Sequence, residues 1–255
     1  MTNLILCGCG GRMGQAIIRS VADSTDVRIV AGVDINASAI APACPFPVYD
    51  TVSQFPGKAD VIIDFSHHTA LPSLLTYAKE TKTPIVVATT GHTDEERRLL
   101  HESAEEIAVF FSGNMSIGIN LLIELARHAA KTLGESFDVE IIEKHHNQKL
   151  DAPSGTALMI ADGIRDERAE TEYVYDRHTV RAKRESKEIG IHSVRGGTIV
   201  GEHEVLFAGN NEVITLSHSA ASREIFASGA LRAACYLSGK SAGLYSMSDL
   251  INGRK

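Results

Sequence analysis

The stretch HHNQKLDAPSGTA, residues 145–157, places two histidines, a lysine, an aspartate and a small-residue turn side by side. Histidine can deliver a proton near neutral pH. Lysine offers a compact positive charge with three donors. Asp151, Pro153, Ser154 and Thr156 are residue types that start a helix. An S-G-T helix start turns backbone N–H groups, hydroxyls and the positive end of the helix dipole towards an anion such as a carboxylate. Each residue alone also has a plain reading: surface or core histidines, a solvated lysine, an ordinary cap. Read together, His145, His146, Lys149, Ser154, Gly155 and Thr156 suit proton delivery to a small anionic substrate. No metal centre is expected, because HH is not the i, i+4 pair of HExxH and no cysteine lies nearby.

A second motif supplies the other half of a reduction. LILCGCGGRMGQAI sets Gly8, Gly10, Gly11 and Gly14 directly after the first apolar run. The spacing fits G-x-x-G-x-x-G through Gly8, Gly11 and Gly14, or a stretched G-x-G. Glycines here admit positive φ and let the backbone approach a pyrophosphate, while the following helix start provides the anion site. Asp34 ends the second apolar run twenty residues after Gly14. That is where an acidic residue accepts from an adenosine ribose hydroxyl. The combination predicts dinucleotide binding, with hydride as well as proton passing to the substrate. Asp34 opposes a 2′-phosphate, and Ile35 and Asn36 bring no positive charge, which favours NADH over NADPH. Arg12, within the loop, could reach a 2′-phosphate. ATTG (Ala88–Gly91) and FSGNMSIGIN (Phe111–Asn120) close further strands, and ligands of open α/β sheets bind beyond such strand ends. Ala88, Thr89, Thr90, Gly91, Ser112, Asn114 and Met115 are therefore candidate cofactor contacts.

The elements that must position these residues alternate. Apolar runs at Leu4–Cys7, Val27–Val33, Val61–Phe65, Ile85–Ala88 and Ile107–Phe111 are separated by helical patterns at Met13–Ala22, Thr69–Lys79 and Thr93–Glu105. This predicts an α/β, doubly wound, Rossmann-like domain. A helix over Ser116–Leu133 follows, with Ile117, Leu121, Leu125 and Ala129 on one face. Strand patterns at Phe137–Lys144, Ile189–Arg195, Thr198–Phe207 and Glu212–Ser219 predict an α+β domain with an open mixed sheet. Arg165–Glu188, dense in charge of both signs, reads as an exposed excursion, with a surface helix as the alternative. Ser222–Leu237 is an amphipathic helix. The expected division is a dinucleotide-binding domain of residues 1–116 and 227–255, and a substrate-binding and oligomerisation domain of residues 117–226, with hinges near residues 116 and 226.

Bulk properties bound the partners. The 255 residues are 44% hydrophobic and 22% charged with a formal net charge of -7, which argues against nucleic acid or an acidic membrane as partner. No run of 18 apolar residues and no signal-peptide pattern is present, so a cytoplasmic location is expected. Cys7, Cys9, Cys44 and Cys235 lack metal or disulfide spacing and read as free thiols.

EKHHNQKLDAPSGTA resembles the E-x-H-H-x-x-K-x-D-A-P-S-G-T-A signature of the dihydrodipicolinate reductase family of bacterial and plant lysine biosynthesis. GGRMG, IDFS, TTG, NMSIGIN, RGGTIVGEHEVLF, SREIFASGAL and GLYSM are similar to that family in the same order, so the resemblance spans nearly the whole chain. It implies reduction of 4-hydroxy-tetrahydrodipicolinate to tetrahydrodipicolinate with NADH or NADPH, on a homotetramer built through the open sheet. His145 stands at the family's proton donor, Lys149 at its catalytic partner and His146 at a substrate contact. Ser154, Gly155 and Thr156 stand where a substrate carboxylate is held. Gly8, Gly11, Arg12, Met13 and Asp34 stand along the adenosine and pyrophosphate. Ala88 replaces a family glycine, and His67 and His68 depart from a proline and an acidic residue; the latter pair is assigned no chemistry. Another two-domain NAD-linked reductase of a small anionic imine or keto substrate is the alternative. A semialdehyde dehydrogenase needs a nucleophilic cysteine that the motif lacks, and a non-catalytic dinucleotide sensor does not need the intact His145, His146, Lys149 and S-G-T set.

Overall fold

Leu4–Leu6, Val61–Ile63 and Ile85–Val87 are apolar at every position and wholly buried. Strands of this kind are covered on both faces, the condition of a parallel sheet. In the computed structural model, which describes residues 1–253 apart from 23 and 169, these runs become β1 (Thr2–Cys7), β4 (Val61–Asp64) and β5 (Ile85–Val87). With β2 (Val27–Val33), β3 (Val48–Tyr49), β6 (Ala108–Phe111) and β12 (Gly243–Tyr245) they form a parallel sheet ordered β12-β6-β5-β4-β1-β2-β3. The order reverses at β1, whose neighbours are β4 and β2. Loops leaving β1 and β4 therefore diverge there and leave a crevice. Helices α1 (Arg12–Val21), α2 (Ala37–Ile40), α3 (Leu71–Thr81), α4 (Asp94–Ser103), α7 (Glu224–Leu237) and α8 (Met247–Ile251) belong to this unit. The sequence patterns miss β3 and β12, which are two and three residues long, too short to show a period.

The chain folds as two compact units, Met1–Ile117 plus the chain from Arg223 onward, and Gly118–Ser222. In the second unit β7 (Asp138–His145), β8 (Glu172–Val174), β9 (Glu188–Arg195), β10 (Gly201–Gly209) and β11 (Glu212–Ala220) form a mixed sheet ordered β11-β10-β7-β9-β8. β7 runs parallel to β9 and antiparallel to β10. Its residues alternate between half-buried and buried, with Val139, Ile141, Glu143 and His145 on the buried side. Helices α5 (Ile117–Leu133) and α6 (Gly155–Arg165) share a core with that side through Leu122, Ala126, Ile160 and Ala161.

Two features go beyond the sequence patterns. Helix α5 does not bury Leu121 and Leu125, which are 45% and 47% exposed; it buries Ile119, Leu122, Ala126 and Ala130. Both sets follow helical spacing, and the buried one packs in the second unit's core with Ile160 and Ala161 of α6. Most described residues of 165–188 are exposed, as expected, but they form no surface helix and part of the segment is held on the sheet. β8 pairs with β9, and Arg177 and Arg184 both donate to Glu140 on β7, at 2.7 and 3.0 Å. Arg177, Arg184 and Glu188 form partly buried ion pairs on the sheet, while the remaining charges of the segment are largely solvated. Position 169 of that segment and residues 254–255 of the expected C-terminal return lie outside the described residues. Among the described residues no helix is long and apolar enough to cross a membrane.

Helix α7 buries Ala227, Gly229, Ala230, Ala233 and Ala234 against the first unit's core. A Cβ at Gly229 would collide with the Met115 carbonyl oxygen. Gly229→Ala should therefore cost about 1–3 kcal/mol, read as a fall in melting temperature of about 3–10 °C. An unchanged melting curve would contradict this packing.

Candidate active site

β7 ends by bringing Glu143 and His145 onto the same face, two residues apart as a strand requires. Glu143 is fully buried. Its Oε2 accepts from His145 Nδ1 at 2.6 Å and from Arg195 Nη1 at 2.7 Å. Its Oε1 accepts from Arg195 Nη2 at 2.7 Å and from the Ser154 backbone N–H at 3.1 Å. Burial alone pushes this carboxyl up. The Arg195 fork, His145, Ser193 and the Ser154 N–H more than offset it and hold Glu143 down at about 2. Glu143 is thus an ionised acceptor, so His145 presents Nδ1–H to it and keeps Nε2 as its working nitrogen.

Burial pulls the His145 ring below the ordinary histidine range; Glu143 opposes this, and Lys149 and Arg195 reinforce it. The ring lies edge-on to His203, with centroids 5.2 Å apart. Gly201 lies beside Nε2: a Cβ there would stand 3.1 Å from it. His203 is buried and pushed down to about 4, by burial first and then by His145. It is therefore neutral, and its Nε2 shares a hydrogen bond with the Ser154 hydroxyl across 3.1 Å.

Ser154 caps α6, its Oγ accepting from the Ala157 N–H at 3.1 Å. Its hydroxyl and its N–H are thus both committed inside the protein, and the exposed part of the S-G-T start is Gly155, with Thr156 half-buried. Lys149 Nζ lies 2.8 Å from Asp151 Oδ1. His146 is half-buried, and its carbonyl accepts from the Lys149 N–H at 3.2 Å. Gly196 donates to the His145 carbonyl at 2.9 Å, and Arg195 Nη2 donates to the Asp151 carbonyl at 2.8 Å. One arginine therefore ties the end of β9 to both flanks of the motif. His145, Lys149, Ser154 and Gly155 converge at one end of the sheet. Arg195 and His203 were missed as functional groups, and Glu143 was read only as part of a signature. Their signal was RGGTIVGEH, where Arg195 and His203 flank a glycine turn.

The first unit carries a groove of about 1070 Å³ at the switch point, lined by Gly8, Gly10, Gly11, Asp34, Phe65 and His67 among others. Gly8 has φ +75°, and a Cβ there would stand 2.5 Å from the Phe65 carbonyl oxygen. A Cβ at Gly14 would collide with the Gly8 carbonyl. Gly11 starts α1 without a side-chain cap, so the first N–H groups of that helix remain available to a phosphate. Asp34 accepts from the Gly10 N–H at 2.9 Å and the Asn36 N–H at 3.0 Å, clamping the loop. This cradle fits a dinucleotide. Arg12 is exposed and Met13 packs on the core. Thr89 donates to the buried Asp64 carboxylate at 2.9 Å, leaving Thr90 and Gly91 exposed beyond the buried Ala88. Ser112 donates to the Asn114 carbonyl at 2.8 Å, while Met115 is buried in the core. His67 caps the turn before α3, and His68 Nδ1 lies 2.9 Å from Glu96 Oε1, joining the loops after β4 and β5.

The chain is similar to known proteins over nearly its whole length. Residues 2–115 match the family model "Dihydrodipicolinate reductase, N-terminus" and residues 118–251 match "Dihydrodipicolinate reductase, C-terminus". A protein named 4-hydroxy-tetrahydrodipicolinate reductase from Caldanaerobacter subterraneus subsp. tengcongensis is 53% identical over 252 residues, 98% of each chain. One of the same name from Clostridium tetani is 46% identical over 253 residues, covering 99% of this chain and 98% of the other. A solved dipicolinate-bound dihydrodipicolinate reductase from Paenisporosarcina sp. TG-14 superposes with TM-score 0.80 at 28% identity, covering 96% of this chain and 97% of that one. A probable dehydrogenase from Thermotoga maritima shares the fold alone, with TM-score 0.65 at 10% identity over 98% of this chain and 89% of the other. With both halves of the chain matched and full-length identity reaching 53%, the chain belongs to the dihydrodipicolinate reductase family.

Proposed function

We propose that this chain is an NAD(P)H-dependent 4-hydroxy-tetrahydrodipicolinate reductase, forming tetrahydrodipicolinate in the diaminopimelate pathway of lysine biosynthesis. The observation that carries the reading is the His145 ring, held by the buried Glu143 beside Lys149 and the start of α6. The reduced dinucleotide, when bound, supplies the hydride. His145 Nε2 delivers the proton, and water leaves from the hydroxylated substrate. Lys149 and the backbone N–H groups of Gly155 and Thr156 neutralise a ring carboxylate, with His146 at the rim. Holding the ring in this way contributes orientation and electrostatic stabilisation. Glu143 fixes the tautomer of the proton donor, and Arg195 holds Glu143.

Gly8, Gly11, Gly14 and the start of α1 are assigned to the pyrophosphate, and Asp34 to the ribose hydroxyls. Thr90, Gly91, Ser112 and Asn114 border the nicotinamide. NADH is the preferred cofactor: Asp34, Asp50 and Glu80 line the groove and no lysine or arginine does, among the described residues. A 2′-phosphate there meets these carboxylates with no lysine or arginine in the lining to offset them. The same proposal includes a cytoplasmic location, closure of the two units about residues near 116 and 226, and a homotetramer assembled through the open sheet. Exposed Val194 and Val213 on β9 and β11 support that last assignment.

A coupled assay with dihydrodipicolinate synthase should show reductase activity with a higher kcat/KM for NADH than for NADPH; no oxidation of either cofactor ends the proposal, and a strong NADPH preference ends the Asp34 assignment. His145→Gln should lower kcat by about 10²- to 10⁴-fold with a much smaller change in KM. Near-normal turnover would remove His145 as proton donor. A proton donor works while protonated, so kcat/KM should fall as pH rises through the depressed His145 pKa. Glu143 is the group that raises that pKa. In Glu143→Gln the falling limb should therefore move to lower pH, and a limb that stays in place would refute the coupling.

A further inference from the structure

Lys149 Nζ already has a carboxylate partner within the chain. It lies 2.8 Å from Asp151 Oδ1, with the lysine side chain 21% and the aspartate side chain 58% exposed. Gly155, whose N–H also favours the charged form of Asp151, is the first residue of α6. The Lys149 hydrogen bond is the largest influence holding this carboxyl below its usual range, and the Gly155 N–H adds to it. A lysine ammonium and a helix N-terminus are the two groups that the proposed function gives to the substrate carboxylate. An internal carboxylate sits on both.

The backbone allows that carboxylate to leave. Arg195 Nη2 donates to the Asp151 carbonyl at 2.8 Å, and the same arginine is locked on Glu143. The main chain at Asp151 is therefore anchored to the buried network while its side chain faces solvent. Rotation about the side-chain torsions frees Lys149 without disturbing Glu143 or His145. An exposed ion pair of this kind contributes little net stability, so a ligand carboxylate can replace it.

We propose that Asp151 is a specificity-determining residue that competes with the substrate carboxylate for Lys149 and the start of α6. Before substrate arrives it keeps Lys149 extended along the anion position. A ligand bearing a carboxylate there displaces it and takes both partners. A neutral analogue offers no such exchange and leaves the Lys149–Asp151 pair closed. The competition lowers ground-state affinity in return for selectivity.

The competition rests on the proposed carboxylate site, so the test separates the two. Dipicolinate is titrated calorimetrically into the full-length protein saturated with NADH. Lys149→Ala should weaken dipicolinate by about ten-fold; an unchanged Kd for that variant refutes the carboxylate site itself. Asp151→Asn keeps the shape and an acceptor for the Gly155 N–H, and should tighten dipicolinate by about two- to five-fold. Weaker or unchanged binding in Asp151→Asn, alongside the expected loss in Lys149→Ala, overturns the competition and leaves Asp151 as a residue that merely orients the lysine. In the Lys149→Ala background the gain from Asp151→Asn should largely disappear. A gain of the same size there would show a general charge effect and also overturns the proposal.

Discussion

A carboxylate with no exposure to water needs its lone pairs answered, and Glu143 meets that need with donors from His145, the Arg195 fork, Ser193 and the Ser154 N–H. Removing any of them leaves a buried charge short of a partner, which is costly. The donors come from the end of β7 itself, from the end of β9 and from the cap of α6. A single buried charge therefore links two parallel strands, β7 and β9, to the helix that lies between them in the chain. It also decides which nitrogen of His145 faces the substrate. Structure and chemistry meet in one group because both require Glu143 to stay ionised.

The sheet explains how the group can be buried at all. Glu143 pairs across β7–β9 with Ser193 and across β7–β10 with His203, and His203 pairs in turn with His218 on β11. Farther along β7 the same face is Ile141 and Val139, packed on α5 and α6. The core thus changes from apolar to polar within two residues, at the point where the loop carrying Lys149 begins. His203, kept neutral by burial, shares a hydrogen bond with the Ser154 hydroxyl and so completes the cap of α6. What remains outward is backbone N–H and the Lys149–Asp151 pair.

Much of this was legible in the residues. Fully apolar runs marked β1, β4 and β5, because a strand covered on both faces has no polar positions. The glycines announced the groove, since Gly8 and Gly14 leave no room for a side chain. Asp34 was visible by position, but its present partners, the N–H groups of Gly10 and Asn36, were not. Other features were hidden by degeneracy. On α5 the leucine and alanine stripes have the same period, and only the partner helix selects between them. In the largely solvated segment 165–188, the anchoring of Arg177 and Arg184 was hidden because their partners Asp138 and Glu140 lie far away in sequence. Arg195 and His203 were ordinary strand residues until β9 and β10 flanked β7. Ser154 looked like a ligand donor, and its hydroxyl is committed inside. Sequence spacing shows which residues are near along the chain, whereas site roles here are settled by neighbours 49 to 52 residues away.

The proposed proton delivery turns on Glu143 fixing the tautomer of His145. Nitrogen-15 NMR of the full-length protein labelled at histidine reads that tautomer directly. Above the pH at which His145 loses its charge, the ring should carry its remaining proton on Nδ1, with that proton shifted downfield by the short bond to Glu143. A ring that keeps its proton on Nε2 at that pH would contradict this role of Glu143.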